Sequence, residues 1–174
     1  MRRAKPLNLV VRCFAREPMK STVFLLVVLL SACRESPTAP TELTLRPTTL
    51  LKAGSSGVTA PRVERITTRA RLVEVWNEIH SRIVGPNPVP TPFVDFSKDE
   101  VVLAARGYTP VSCYSVEIES VTTSDILKIH VVNTDPGYHC NCGAAVGYPV
   151  HLVAIPKTSG AAVIMTSAAT HDCQ

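Results

Sequence analysis

The chain predicts an α+β fold, mainly antiparallel β-sheet with one amphipathic helix and stabilised by disulfides. Three observations carry that expectation. Five or more runs of strand length follow one another from residue 49 onward, a single stretch shifts to a helical period, and four cysteines remain once the leader and its junction are set aside. Strands in succession with one helix read as α+β rather than as repeated βαβ units. With 174 residues there is enough chain for one domain with a full core and hardly enough for two.

Residues 1–32 read as a lipoprotein signal peptide. Val23 to Leu30 (VFLLVVLL) is an apolar block of eight residues, far short of the roughly 20 that span a bilayer. Basic residues precede it and small ones follow it, the order of a secretory leader. Met19-Lys20-Ser21-Thr22 by itself opens a compact leader, so translation is expected to start at Met19 rather than Met1. Leu30-Ser31-Ala32-Cys33 resembles the lipobox of bacterial lipoproteins. That resemblance implies lipidation of Cys33, with a diacylglycerol thioether on its sulfur and a fatty acyl group such as palmitate on its amine, enough to tether the protein durably to a membrane. Arg34 rather than an aspartate after the cysteine points to the outer membrane of the cell envelope more than the inner.

The leader also accounts for the charge. The formal net charge is +4, but six basic residues and one acid precede Cys33, leaving 12 basic against 13 acidic residues after it. The mature chain is near neutral and has no basic stripe interleaved with aromatics, so no nucleic-acid partner is expected.

Residues 33–48 are rich in Pro, Thr and Ser and read as a tether, and the single domain is expected over 49–174. Thr49 to Val58 reads as a strand broken at Gly54-Ser55-Ser56-Gly57, and Val63 to Ile66 as another. From Thr68 the apolar residues Leu72, Val75, Trp76, Ile79 and Ile83 recur at helical steps, with Thr68 as N-cap and Gly85-Pro86 as the stop. Trp76 belongs to the buried stripe and His80 falls off it, into solvent. Pro86, Pro88, Pro90 and Pro92 alternate, which makes the next segment an extended connection and bars it from a central strand. Asp95, Asp99 and Glu100 read as a solvated approach to the continuous apolar run Val101 to Ala105.

Tyr114 to Val121 alternates apolar and polar residues, the signature of a strand with one wet face. Ile126 to Val132 is its natural partner across Thr122 to Asp125, Asp135-Pro136-Gly137 signals a turn, and Val150 to Ile155 and Ala161 to Thr166 complete the strands.

Of the six cysteines, Cys13 leaves with the leader and Cys33 carries lipid. Cys113, Cys140, Cys142 and Cys173 are then disulfide candidates in an oxidising compartment. Cys140 and Cys142 are too close to bridge each other, so each is expected to pair outward, one with Cys113 and one with Cys173. A loop of about 30 residues closed in this way contributes around 3 to 4 kcal/mol in the chain-entropy treatment. The alternative is a periplasmic metal-binding or thiol-redox protein using His139-Cys140-Asn141-Cys142, with Cys113, His171 and Cys173 as further ligands. Its spacing matches neither a zinc knuckle nor a blue-copper loop, and a C-x-x-C at a helix N-terminus is missing. Gly54-Ser55-Ser56-Gly57 lacks the nucleophile-elbow pattern, and phosphate loops and H-E-x-x-H are absent. His130 and His151, placed in strands, read as structural. No cofactor and no catalytic residue is therefore expected.

In order, the helix with Trp76, Val94-Asp95-Phe96 leading into Val101-Val102, Tyr114-Ser115-Val116 with Ile118, Pro136-Gly137, and Tyr148-Pro149-Val150-His151-Leu152-Val153 ending at Ile155-Pro156 resemble the PrcB C-terminal domain, over about residues 62–166. The family is named for a lipoprotein that accompanies a surface protease as an accessory subunit. The resemblance implies a non-enzymatic interaction subunit whose partner is another envelope protein, such as a protease. No catalytic residues come with it. The chain departs from the family in Cys113, where a glycine precedes the tyrosine, and in its C-x-C.

Overall fold

A computed structural model describes residues 41–82 and 89–173. Strands β1 (Leu43–Leu45), β2 (Thr48–Ala53) and β3 (Arg62–Ile66) precede helix α1 (Arg69–His80), and β4 (Asp99–Ala105), β5 (Ser115–Thr123), β6 (Leu127–Pro136), β7 (Val150–Pro156) and β8 (Ala162–His171) follow. They form two four-stranded sheets, β1-β5-β6-β8 and β2-β7-β4-β3. All pairings are antiparallel except β6 with β8. The expected class, antiparallel sheet with one helix and disulfides, is the one observed.

The layers follow from side-chain alternation. On β4, Val101, Leu103 and Ala105 face α1, while Val102 and Ala104 face the other sheet; on β7, Val150 and Leu152 face α1 and Val153 and Ile155 the other sheet. Both strands are covered on both sides. A run such as Val101 to Ala105 therefore has no polar beat, whereas β5 alternates because only one of its faces is covered. The helix side of the core adds Leu72, Val75, Trp76 and Ile79. The inter-sheet side adds Val116, Ile118, Val121, Leu127, Ile129 and Val131. At about 25 cal/mol per Å² of apolar area removed from water, these two layers are the main favourable contribution to folding.

Helix α1 begins where expected, with Thr68 accepting a hydrogen bond from the Arg71 amide at 3.3 Å. It ends at His80, where Ser81 Oγ donates to the Glu78 carbonyl at 2.8 Å. Ile83, Gly85, Pro86 and Pro88, named above for the helix end and its connection, lie outside the described residues. His80 is not free in solvent. It is half-buried, its Nδ1 lies 2.7 Å from the Trp76 carbonyl and its ring centroid 4.4 Å from that of Trp76. Trp76 donates to the Val89 carbonyl at 3.0 Å, which pins the described part of the proline-rich connection against the helix.

Three further expectations are corrected. Leu43–Leu45, placed in the tether, is a strand on β5, because Leu45 buries between the sheets and Glu42 accepts hydrogen bonds from Thr122 (2.6 Å) and Lys128 (3.1 Å). Those bonds, Thr122 first, hold the Glu42 carboxyl below its ordinary range. Asp135-Pro136 does not turn: β6 runs on to Pro136 because β8 lies beside it through His171. Finally, Glu100 is not solvated. It is fully buried, and Arg65 bridges both its oxygens at 2.9 and 2.8 Å while Thr158 Oγ1 donates to it at 2.8 Å. Arg65 also donates to the carbonyls of Thr158 and Gly160, so this network ties β3 and β4 to the β7–β8 connection.

Candidate functional site: the disulfide-tied loop end

Strand directions bring β4 and β6 out, and β5 and β7 in, at one end of the sandwich. The segments 106–114 and 137–149 meet there. Both cysteine pairs are here: Cys113 with Cys142, and Cys140 with Cys173. Each cysteine of the C-x-C bridges outward, as expected. The loop does not continue as a strand, since the Cys140 amide donates to Gly137 O at 3.2 Å and the Cys142 amide to Cys140 O at 3.1 Å. Both sulfurs of the C-x-C are in disulfides, which leaves no thiolate there as a metal ligand, and His139 is exposed, edge-on to Tyr138. Among the described residues no group of three His, Cys, Asp or Glu is placed to hold a metal ion. Cys33, the lipidation candidate, and the leader lie outside the described residues.

The two loops are also joined through their backbones. Thr109, itself buried, exchanges hydrogen bonds with Gly147 at 2.9 and 3.0 Å, and Ser112 donates to Gly143 O at 3.2 Å. Gly147 is required there: a Cβ would stand 2.5 Å from Thr109 Oγ1 and 3.0 Å from Gly54 O. Gly107, at φ 79°, turns the chain out of β4 in a conformation open chiefly to glycine. Ser56 is buried and donates to the Tyr148 carbonyl at 2.9 Å while accepting from the Val58 amide at 3.1 Å, so the Gly-Ser-Ser-Gly stretch braces the loop end.

Arg106 is the polar keystone. Its guanidinium donates to the carbonyls of Ser115 (3.3 Å) and Thr134 (2.9 Å), pairs with Asp135 and lies 4.5 Å from the Tyr114 ring centroid, linking the end of β4 to β5 and β6. All four tyrosines of the chain are in this region. Tyr108 packs edge-on to Tyr148 at 6.1 Å, and Arg82 lies 4.3 Å over Tyr148. Tyr108, Tyr138 and Val146 are exposed, Tyr138 by 97%. The two segments contain no acidic residue. Tyrosines set among Gly, Ser and Asn on a braced scaffold have the composition of protein-binding loops, in which a stiff amphipathic ring supplies contact area at small entropic cost.

The histidines are structural or superficial. His151 is buried between the sheets: it accepts from the Ile118 amide at Nδ1 (2.9 Å), so Nε2 carries the proton and donates to Thr49 Oγ1 (3.0 Å). Burial, with the Lys52 charge in second place, lowers its pKa and keeps it neutral. His130 lies 2.8 Å from Glu119 at Nδ1 and 3.0 Å from Ser167 at Nε2. That order resembles a hydrolase relay, but it crosses a sheet face where Glu119 is 59% exposed to water. It is a cross-strand ladder.

Neither Arg106 nor the Arg65–Glu100 pair was identified from sequence as important. The available signal was an acid directly before an apolar run that has no room for a charge, and arginines in a neighbouring strand. No helix among the described residues is long and apolar enough to cross a membrane. No protein-family model, curated protein or solved structure matches the chain.

Proposed function

We propose that this chain is a lipid-anchored envelope protein that acts without catalysis, as an interaction or accessory subunit that grips another protein through its loop end. The single observation that supports this most is the loop end itself: exposed tyrosines on loops that two disulfides and Arg106 hold in place before any partner arrives. Preorganised loops lose little freedom on binding, and aromatic residues with arginine dominate interface energetics. The finer reading, a subunit serving a surface or secreted protease in the outer envelope, rests on the lipobox-like and PrcB-like residues.

Photo-crosslinking in intact cells tests the grip. A benzophenone side chain at Tyr108 or Tyr138 is expected to trap one defined protein, and Tyr108→Ala is expected to weaken that complex by about 30-fold, the effect of a 2 kcal/mol hot spot. Adducts from Phe93, at the far end and 88% exposed, with none from the two tyrosines, would overturn the assignment. The intact mass of membrane-extracted protein tests the anchor, which fails if no diacylglyceryl group is found on Cys33.

A further inference from the structure

The edges of the two sheets are finished differently. β3 carries Arg62, Glu64 and Arg65 within five residues, β1 is only three residues long, and β2 sets Lys52 against Glu117 at 2.8 Å. Charge and shortness are ordinary ways to keep an edge from pairing. β8 has neither. Over the ten residues Ala162–His171 it contains no Asp, Glu, Lys, Arg or Pro, and its Val163, Ile164 and Met165 are 44%, 47% and 43% exposed. Its one strand partner among the described residues is β6.

The direction of the free backbone groups follows from the ladder. The Leu127 amide donates to Ala161 O at one end (3.1 Å), and the Gly137 amide donates to His171 O at the other (2.8 Å). With a repeat of two, the odd-numbered residues of β8 turn N–H and C=O toward β6. Ala162, Ile164, Thr166, Ala168 and Thr170 turn theirs to the open edge.

We propose that this edge pairs with the same edge of a second copy of the chain, antiparallel about a two-fold axis at Thr166, so that two four-stranded sheets become one of eight. The edge selects its own image. An axis at Thr166 sets Thr166 against Thr166, Ile164 against Ala168 and Ala162 against Thr170, so open donors face open acceptors and no charge faces its like. A charged extended peptide would find no counter-charge along β8. The described chain joins this sheet at β1, the opposite edge, and leaves β8 clear. Thr166 also lines a cleft of about 240 Å³ shared with Arg62, Val63, Arg106, Val116 and Val131. Pairing of ten residues a side buries on the order of 1,000 Å², the low end for specific interfaces, so a reversible dimer is expected. Nothing in this inference depends on the lipid anchor or on the loop end.

Thr166→Cys in the full chain is expected to give a disulfide-linked dimer under mild oxidation, whereas Thr44→Cys, on the opposite edge, gives none. Thr166→Lys is expected to weaken concentration-dependent dimerisation in sedimentation by about tenfold or more, with Tm unchanged. Thr166→Pro is the second variant: it removes an N–H with no partner among the described residues, so the fold is expected to survive and the dimer is not. Wild-type protein that stays monomeric at about 100 µM overturns the proposal. A dimer untouched by Thr166→Lys overturns it too, as does Thr166→Cys crosslinking only to a foreign chain.

Discussion

Between β4 and β7 the molecule is held by apolar contact on both faces of a sheet, with one buried ion pair, Arg65–Glu100, at the end where β4 begins. A few residues further along the same two strands, past Ala105 and before Val150, hydrophobic packing gives way to two disulfides, a handful of loop hydrogen bonds and one arginine. The difference is between two ways of holding a chain in place. The sandwich can take its stability from area alone, because strands bury side chains on a regular period. The loops cannot, since Tyr108, Tyr138 and Val146 there face outward and bury little area. Covalent closure holds them instead, leaving the tyrosines free of a core-packing role.

The largest expected effect breaks the sandwich and spares the loops. Arg65→Met leaves Glu100 buried without its counter-charge, and urea unfolding should show a loss of about 3 to 5 kcal/mol while both disulfides still form. Next comes the reverse. Cys113→Ala with Cys142→Ala releases a loop closed over a separation of 29 residues and should cost about 3 to 4 kcal/mol. Hydrogen exchange should then rise across 106–114 and 137–149 and leave β4 and β7 protected. Equal loosening of the core strands would mean that the two regions are not separately held.

The smallest effect sharpens the boundary between them. His151 is kept neutral by burial, with a folded pKa below its unfolded value, so the unfolded state binds the extra proton first. Stability contributed by neutral His151 is fully present above about pH 6.5 and declines as pH falls below it. Melting temperature should therefore drop between pH 7 and 5, and His151→Gln, which can still accept from Ile118 and donate to Thr49, should flatten that slope. A slope unchanged in the variant would assign it to another group.

What could be read from sequence followed the local periods. Leu72, Val75, Trp76 and Ile79 mark α1 because a helix repeats within four residues, and Val101 to Ala105 marks a strand covered on both faces. Spacing and compartment mark the four cysteines as two outward bridges, but which of Cys140 and Cys142 joins Cys113 is set only by the fold. The rest needed neighbours distant in sequence. Leu43–Leu45 is too short to signal a strand until β5 lies beside it, and Glu100 reads as a surface acid until Arg65, 35 residues earlier, is seen to bridge it. The loop end was legible only as cysteines. That Tyr108, Tyr114, Tyr138 and Tyr148 converge there follows from strand direction, which composition does not carry.

The lone parallel pairing has a consequence for the order of assembly. Between β6 and β8 the chain crosses into the other sheet as β7, so β8 returns in the direction of β6 and has no hairpin to guide it. Its pairing is non-local, a kind that is slow to form. The last strand in sequence is thus expected to be the last to join. Because Cys173 lies two residues beyond β8, closure of Cys140–Cys173 is expected to mark completed folding, and quenched refolding with thiol trapping should read it as the later of the two bridges.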